Sequence, residues 1–148
     1  MKKAAGVLVT NEDGKILGFL RRGRRNPGYG LPCGSLEYGE TWDRAAKRET
    51  FEETGLRVTL LPDPYLDRDT KGRVRTIIFR AEISGGRMDA PSIREGYPEW
   101  ITPKQLLEGP YGEFSVPLLQ HFGLLPAPVG SLSPDEDLDV ATVSSQEG

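Results

Sequence analysis

Glu49, Glu52 and Glu53 fall within five consecutive residues of the segment 42–54, WDRAAKRETFEET. If the segment is helical, residues three or four apart stand roughly 5–6 Å from each other. Two carboxylates at that range repel by about 3 kcal/mol at an effective dielectric near 20. Left unpaired and partly buried, the cluster is costly or must take up protons. Three arrangements relieve it. The helix can face water, with Arg48 and Glu52 as an ordinary ion pair one turn apart. The carboxyls can share protons. Or the cluster can bind divalent cations that prefer hard oxygen ligands, such as Mg²⁺ or Mn²⁺. Helix geometry alone leaves all three open.

The same segment carries an apolar stripe. At helical spacing Trp42, Ala45, Ala46 and the following Leu56 share one sector of about 100°, which is expected to face a core. Glu49 and Glu53 sit in the middle of that sector and Glu52 on its edge, while Arg44, Lys47, Arg48 and Phe51 are expected to face outward. Thr41 is placed to cap the N-terminus and Gly55 to end the helix.

Read with the loop before it, residues 34–56, GSLEYGETWDRAAKRETFEETGL, resemble the Nudix box G-x5-E-x7-R-E-U-x-E-E-x-G-U, where U is a bulky aliphatic. Gly34, Glu40, Arg48, Glu49, Glu52, Glu53 and Gly55 match the seven fixed positions, and Leu56 matches the last U. At roughly 6–7% usage of each residue type, seven chance matches have a probability on the order of 10⁻⁸. The resemblance implies an α/β fold, a Nudix-type α/β/α sandwich with a mixed β-sheet. It also implies a Mg²⁺-dependent pyrophosphohydrolase that cleaves nucleoside diphosphates linked to another moiety. Phosphoryl transfer needs charge neutralised on the phosphate oxygens and a water held in line, and metals held by carboxylates supply both.

By that resemblance Glu49 and Glu53 are the principal metal ligands, and Glu52 and the backbone carbonyl of Cys33 complete the site. Arg48 and Glu40, with Gly34 opening the box, orient and neutralise the ligands. Glu53, Glu52 and Arg48 are then catalytic candidates. Relatives also recruit a late glutamate as metal ligand or general base; Glu95, followed by glycine and upstream of Trp100, best resembles it, with Glu99 as second choice. Two positions depart from the pattern. Thr50 stands where an aliphatic is usual, and Cys33 where the family has glycine in a Pro-Gly-Gly turn. If that turn needs a positive φ, cysteine costs about 1–2 kcal/mol there. The thiol itself is expected to be passive, because nothing in the sequence forms a Cys/His nucleophile pair.

A polyphosphate also needs cations. Arg21, Arg22, Arg24 and Arg25 cluster in five residues, and Arg22 or Arg24 is the candidate phosphate contact. Arg73 and Arg75 alternate further on. Tyr29 is a candidate to stack on a base. His121, the single histidine, sits among apolar residues and is expected to pack.

The elements that must position these groups are legible around them. The chain has 148 residues, 36% hydrophobic and 28% charged, with a mean hydropathy of -0.45. That length suits one domain with a real core. No apolar run approaches the roughly 18 residues of a membrane helix. One cysteine excludes a disulfide scaffold, and the short apolar run after Lys2-Lys3 is no secretory signal; the chain reads as cytoplasmic. Strands are expected at 5–10 and 15–21, forming a hairpin about the turn Asn11-Glu12-Asp13-Gly14, and at 57–61, 73–83 and 97–101. Residues 26–41 hold too much glycine and proline for a helix or regular strand. Thr102-Pro103 opens a short helix to about Glu108, and 115–122 forms a last one, stopped by Gly123. This alternation indicates an α/β sandwich with a mixed sheet.

The net charge of -3 is unevenly spread. The last of the 19 basic residues is Lys104, whereas Asp135, Glu136, Asp137, Asp139 and Glu147 crowd the final fourteen positions. A Nudix domain is therefore expected over 1–123, followed by an acidic, Pro/Ser-rich tail over 124–148 that is mobile and dispensable.

Subfamily markers narrow the substrate. ADP-ribose pyrophosphatases tend to carry a proline past the box and dinucleoside-polyphosphate hydrolases a tyrosine slightly further on; Thr70-Lys71-Gly72-Arg73-Val74 holds neither. The expectation is a (deoxy)nucleoside triphosphate or modified nucleotide. An ADP-ribose or dinucleoside polyphosphate is an alternative, as is pyrophosphate removal from RNA 5′ ends, the one case with a nucleic-acid partner. A non-enzymatic nucleotide sensor on the same fold is the alternative from another class. No membrane partner is expected, and the chain is taken as a monomer or homodimer.

Overall fold

The computed structural model describes residues 2–22, 27–88 and 96–128. Arg24, Arg25, Glu95 and the acidic end of the expected tail lie outside these residues. Contacts divide the chain into two units, Met1–Leu118 and Leu119–Gly148.

The first unit is built on two sheets. In the larger, β1 (Ala4–Leu8) lies between β4 (Cys33–Ser35), which runs antiparallel to it, and β7 (Val74–Gly86), which runs parallel. The long β7 also pairs antiparallel with β5 (Leu56–Leu60) and β6 (Tyr65–Arg68). The smaller sheet is antiparallel, with β2 (Ile16–Arg21) between β3 (Gly28–Gly30) and β8 (Gly96–Ile101). One parallel pairing among antiparallel ones gives the expected mixed α/β arrangement. As a central strand, β1 is buried along nearly all of its length and reads as continuously apolar, AAGVL.

Helix α1 (Trp42–Thr54) packs on β1, β4 and β5. Its Ala45 and Ala46 join Ala5, Val7, Val9, Leu17, Leu56, Val58 and Ala81 in the main core, with Trp42 packed at the margin. Small alanines let the helix come close to β1, and each fully buried Val or Leu contributes about 1.5–3 kcal/mol. The short helix α2 (Pro103–Glu108) starts where the sequence places it. Thr102 Oγ1 caps it by accepting from the Gln105 N–H at 3.1 Å, and the Thr102 N–H donates to Gln105 Oε1 at 2.8 Å, completing a capping box.

The expected hairpin is corrected. The turn at 11–14 forms, and Thr10 bridges Ile16, but β1 and β2 then enter different sheets. Both edges of β1 are already taken, by β4 and β7, so β2 finds its partners elsewhere. Residues 26–41 do contain regular structure, the three-residue strands β3 and β4. Glycine lets their backbones approach closely enough to pair: a Cβ on Gly6 of β1 would meet the Pro32 carbonyl and Cys33. The strand β6 adds to the expected set.

The last helix, α3 (Gly112–His121), begins in the first unit and starts three residues before its expected position. In the second unit, Leu124 N–H donates to the Leu119 carbonyl at 2.8 Å and Gly123 N–H to the Gln120 carbonyl at 3.1 Å. With Gly123 at φ 79° this closes the helix as a Schellman motif. His121 is exposed on the last turn of the helix, against the expectation that it packs in a core, and its ring meets that of Phe122 edge-on, 4.8 Å between centroids.

Candidate active site

The box residues converge because β4, the loop after it and α1 are locked to one another. Thr41 Oγ1 accepts from the Arg44 N–H at 3.3 Å, fixing where α1 begins. Gly55 adopts φ 80°, the left-handed conformation that ends a helix cheaply only at glycine. The loop is tied by the Glu37 N–H donating to Glu40 Oε1 at 2.9 Å and the Glu40 N–H to the Glu37 carbonyl at 2.9 Å.

Arg48 gathers the acids. Its Nε donates to Glu40 Oε2 at 2.8 Å and its Nη2 to Glu40 Oε1 at 3.0 Å, a two-pronged pairing. The same Nη2 reaches the Ser35 carbonyl at 2.9 Å, while Nη1 donates to Glu49 at 3.0 Å and Glu52 at 3.1 Å. Arg48 is therefore not on an outward face as the helical wheel places it. Its long side chain bends over the helix shoulder to the loop and β4. The hydrogen bonds from Arg48, then the Glu37 N–H, hold the Glu40 carboxyl at about 2, well below the ordinary 4.5. Those same acids raise the Arg48 pKa further. Burial pushes the Glu49 carboxyl upward, against the pull of Arg48. That carboxyl lies directly over Gly34, where any Cβ would overlap it.

Glu53 has a separate set of partners. Only 9% of its side chain is exposed, and its Oε1 accepts from the Cys33 N–H at 3.1 Å. Its Oε2 accepts from Arg21 Nη1 at 3.2 Å, while Arg21 Nη2 donates to the carbonyls of Leu31 at 3.1 Å and Cys33 at 3.2 Å. Burial pushes the Glu53 carboxyl up to about 7; Arg21 and the Cys33 N–H oppose this without cancelling it. Burial pulls the Arg21 pKa down, but the charge of Glu53 and its hydrogen bond, with smaller contributions from Tyr111 and Cys33, together raise it, so the guanidinium stays charged.

The donor set fits a divalent cation in its chemistry. Glu49, Glu52, Glu53 and the Cys33 carbonyl are hard oxygens at the join of β4 and α1. A carboxylate as buried as Glu53 gains from a stronger positive charge beside it. As they stand, no three acidic, histidine or cysteine side chains among the described residues enclose one ion. The acids instead face two guanidinium groups, Arg48 on Glu49 and Glu52, and Arg21 on Glu53.

The remaining candidates are placed as follows. Glu52 lies at the rim, its side chain 54% exposed. Arg22 is exposed, its guanidinium 5.2 Å from the centre of the Tyr97 ring. Tyr29 is half-buried, and its hydroxyl donates to Glu99 at 3.0 Å. Thr50 is fully buried and donates its hydroxyl to the Ala46 carbonyl at 2.7 Å, so a polar residue sits in the aliphatic position with its hydrogen bond satisfied. Asp63 is the single non-glycine at positive φ among the described residues, so Cys33 carries no such strain. Burial of its thiol pushes the pKa up to about 12, though the residue as a whole is half-buried; a thiol of this kind is inert at neutral pH.

Arg21 is the residue that the sequence reading passed over in favour of Arg22 and Arg24. The signal was the two-residue period of β2: Leu17, Phe19 and Arg21 share one face, and Leu17 belongs to the core beneath α1.

A carboxylate helix locked by an arginine to a glycine-bearing loop is the arrangement that the resemblance to the Nudix box implies, and comparison with known proteins shows the family. The NUDIX domain family model matches residues 1–122, and the chain belongs to the Nudix family. Family members are pyrophosphohydrolases and generally use divalent metal ions. The chain is similar to a protein named ADP-ribose pyrophosphatase from Methanocaldococcus jannaschii, 39% identical over 87 residues, covering 55% of this chain and 52% of that protein. A putative 8-oxo-dGTP diphosphatase from Bacillus subtilis is 31% identical over 104 residues, 70% of this chain and 68% of its own. An RNA pyrophosphohydrolase from Erythrobacter litoralis is 37% identical over 128 residues, 71% of this chain and 78% of its own. Among solved structures, a NUDIX hydrolase from Nitrosomonas europaea superposes with a TM-score of 0.61 at 18% identity, over 82% of this chain and 86% of that one, a likeness of fold. No helix among the described residues is long and apolar enough to cross a membrane.

Proposed function

We propose that this chain is a Mg²⁺-dependent pyrophosphohydrolase of nucleoside triphosphates or modified nucleotides, with Mn²⁺ as a substitute ion. The observation that carries the reading is the convergence of Glu49 and Glu53, one helical turn apart, on the backbone of Cys33 and Gly34. Glu49, Glu53 and Glu52 would hold the ion with the Cys33 carbonyl. Arg48 aims Glu49 and Glu52 by direct hydrogen bonds, and Glu40 holds Arg48 in place. When bound, the ion supplies charge neutralisation on the phosphate and an acidified water. Arg22 and Arg24 would receive phosphate oxygens and the Tyr29 ring a base. Glu95 is the proposed late glutamate.

The relative named as an 8-oxo-dGTP diphosphatase, matched over two thirds of its length, supports the triphosphate reading. The ADP-ribose relative is matched over about half its length, and the region 70–74 lacks the proline expected of that subfamily. A second reading, removal of pyrophosphate from RNA 5′ ends, is favoured by the RNA pyrophosphohydrolase relative and by the exposed Arg22 beside Tyr97. The compartment proposed is the cytoplasm and the state a monomer or homodimer, with 1–123 as the catalytic domain. The experiment is a Mg²⁺-dependent screen of nucleoside triphosphates, ADP-ribose, dinucleoside polyphosphates and 5′-triphosphate RNA. Turnover is expected to be highest on triphosphates. RNA at least equal to free nucleotides selects the second reading, and no turnover on any of them makes the domain a sensor.

A further inference from the structure

Arg21 and Arg48 both neutralise the acids of the site, but in different ways. Arg48 is anchored by Glu40 and the Ser35 carbonyl, neither of which is a cation ligand in the proposed site. It keeps those partners whatever Glu49 and Glu52 bind. Among the described residues, Arg21 is anchored outside the proposed site only by the Leu31 carbonyl. It donates to Glu53, to the Cys33 carbonyl and to the Leu31 carbonyl, so two of its three acceptors are the oxygens that the proposed site offers to an ion. Its guanidinium lies 5.2 Å from the centre of the Phe19 ring on its own strand.

Resting on the reading of Glu53 and the Cys33 carbonyl as cation ligands, we infer that Arg21 is a tethered cation that fills their place in the metal-free protein and is displaced when a divalent ion binds. An N–H pointed at an oxygen lone pair and a metal ion on that lone pair exclude each other. A dication within a few ångströms of a guanidinium repels it as well. Displacement leaves Arg21 a cation without its carboxylate partner, held by the Leu31 carbonyl beside the ion, at the end of the strand that leads into Arg22. Loading the site and presenting a guanidinium to a phosphate are then a single event. The metal-free protein in turn avoids leaving Glu53 buried without a counter-charge.

Calorimetric titration with Mg²⁺ at pH 8.5, where protons compete little for the carboxylates, tests this on the wild type and Arg21→Met. The variant is expected to bind Mg²⁺ about tenfold tighter, the gain from losing an internal competitor of roughly one charge-assisted pair. Equal or weaker binding by the variant, with normal binding by the wild type, overturns the inference and leaves the metal reading standing. Absence of Mg²⁺ and Mn²⁺ binding by the wild type overturns both. Should Arg21→Met fold poorly, the wild type alone decides. The Nε–Hε NMR resonance of Arg21, assigned with Arg21→Lys, is expected to shift on Mg²⁺ saturation. An unmoved Arg21 resonance at saturation overturns the inference.

Discussion

The hydroxyl of Tyr29 donates to the carboxylate of Glu99 at 3.0 Å, joining β3 to β8 across the strand between them. Burial first, and then this hydrogen bond, raise the Tyr29 pKa. The second-choice late glutamate is therefore already engaged by the residue expected to stack on a base. Tyr29→Phe keeps the ring and removes only that bond. Urea unfolding is expected to show a loss of about 1.5–3 kcal/mol with an unchanged m-value, the range for a bond to a charged acceptor. An unaltered midpoint would mean that water already competes for Glu99.

Glu53 makes the metal-free protein sensitive to pH in an unusual direction. In the fold its carboxyl holds a proton up to about 7, whereas the unfolded chain releases it near the ordinary 4.5. Between these values the fold binds more protons than the unfolded chain, so this group lowers stability as pH rises. The loss it contributes is at most about 3 kcal/mol. Glu53→Gln should flatten that slope between pH 4.5 and 7 in metal-free buffer, read from thermal midpoints. The same variant should lose turnover by at least about a hundredfold with Mg²⁺ while remaining folded; wild-type kcat would reject Glu53 as a ligand.

Arg48→Lys retains charge but loses the two-pronged grip on Glu40. The Glu40 carboxyl should climb from about 2 toward the ordinary range, by about one unit or more in a carbon-13 NMR titration. In the wild type, a lowered carboxylate pKa adds stability above 4.5 that is lost as pH falls toward 2. The variant should therefore be less acid-resistant. A Glu40 titration curve that does not move would mean that its loop, not Arg48, sets its acidity.

Thr50→Val replaces a buried hydroxyl by a methyl of nearly the same shape. The hydroxyl bonds to a carbonyl of its own helix one turn back, so its removal leaves no orphaned donor. Stability is expected to change by less than about 1 kcal/mol, and activity not at all. A larger loss, measured by denaturant unfolding, would show that the Thr50 hydroxyl positions the helix.

Local chemistry made much of the fold legible. Thr41, Gly55, Thr102 and Pro103 mark helix ends by caps that act within a turn, and α1 and α2 lie within a residue of where those caps put them. The spacing of the box brings Glu40, Arg48, Glu49 and Glu52 together because one helix and one loop carry them all. What escaped depends on distant partners. Whether residues 4–8 and 16–21 form a hairpin is settled by β7, whose Ile77 pairs with Ala5 from far along the chain. The role of Arg21 needed β4 and α1 in place. A helical wheel treats Arg48 as a point on a surface, and its reach across the helix shoulder is invisible there.

Strand β4 contributes to this site almost entirely with its main chain. Cys33 offers an amide to Glu53 and a carbonyl to Arg21, groups that any non-proline residue possesses. Gly34 offers the lack of a side chain, since the Glu49 carboxyl fills the space where one would begin. Adjacent positions of a three-residue strand thus face opposite constraints. Position 33 is open to variation in type so long as the new side chain fits its half-buried setting, whereas any side chain at position 34 makes the Glu49 carboxyl move aside. In a saturation library over these two codons, substitutions at 34 would be read in the placement of Glu49 and those at 33 in packing alone.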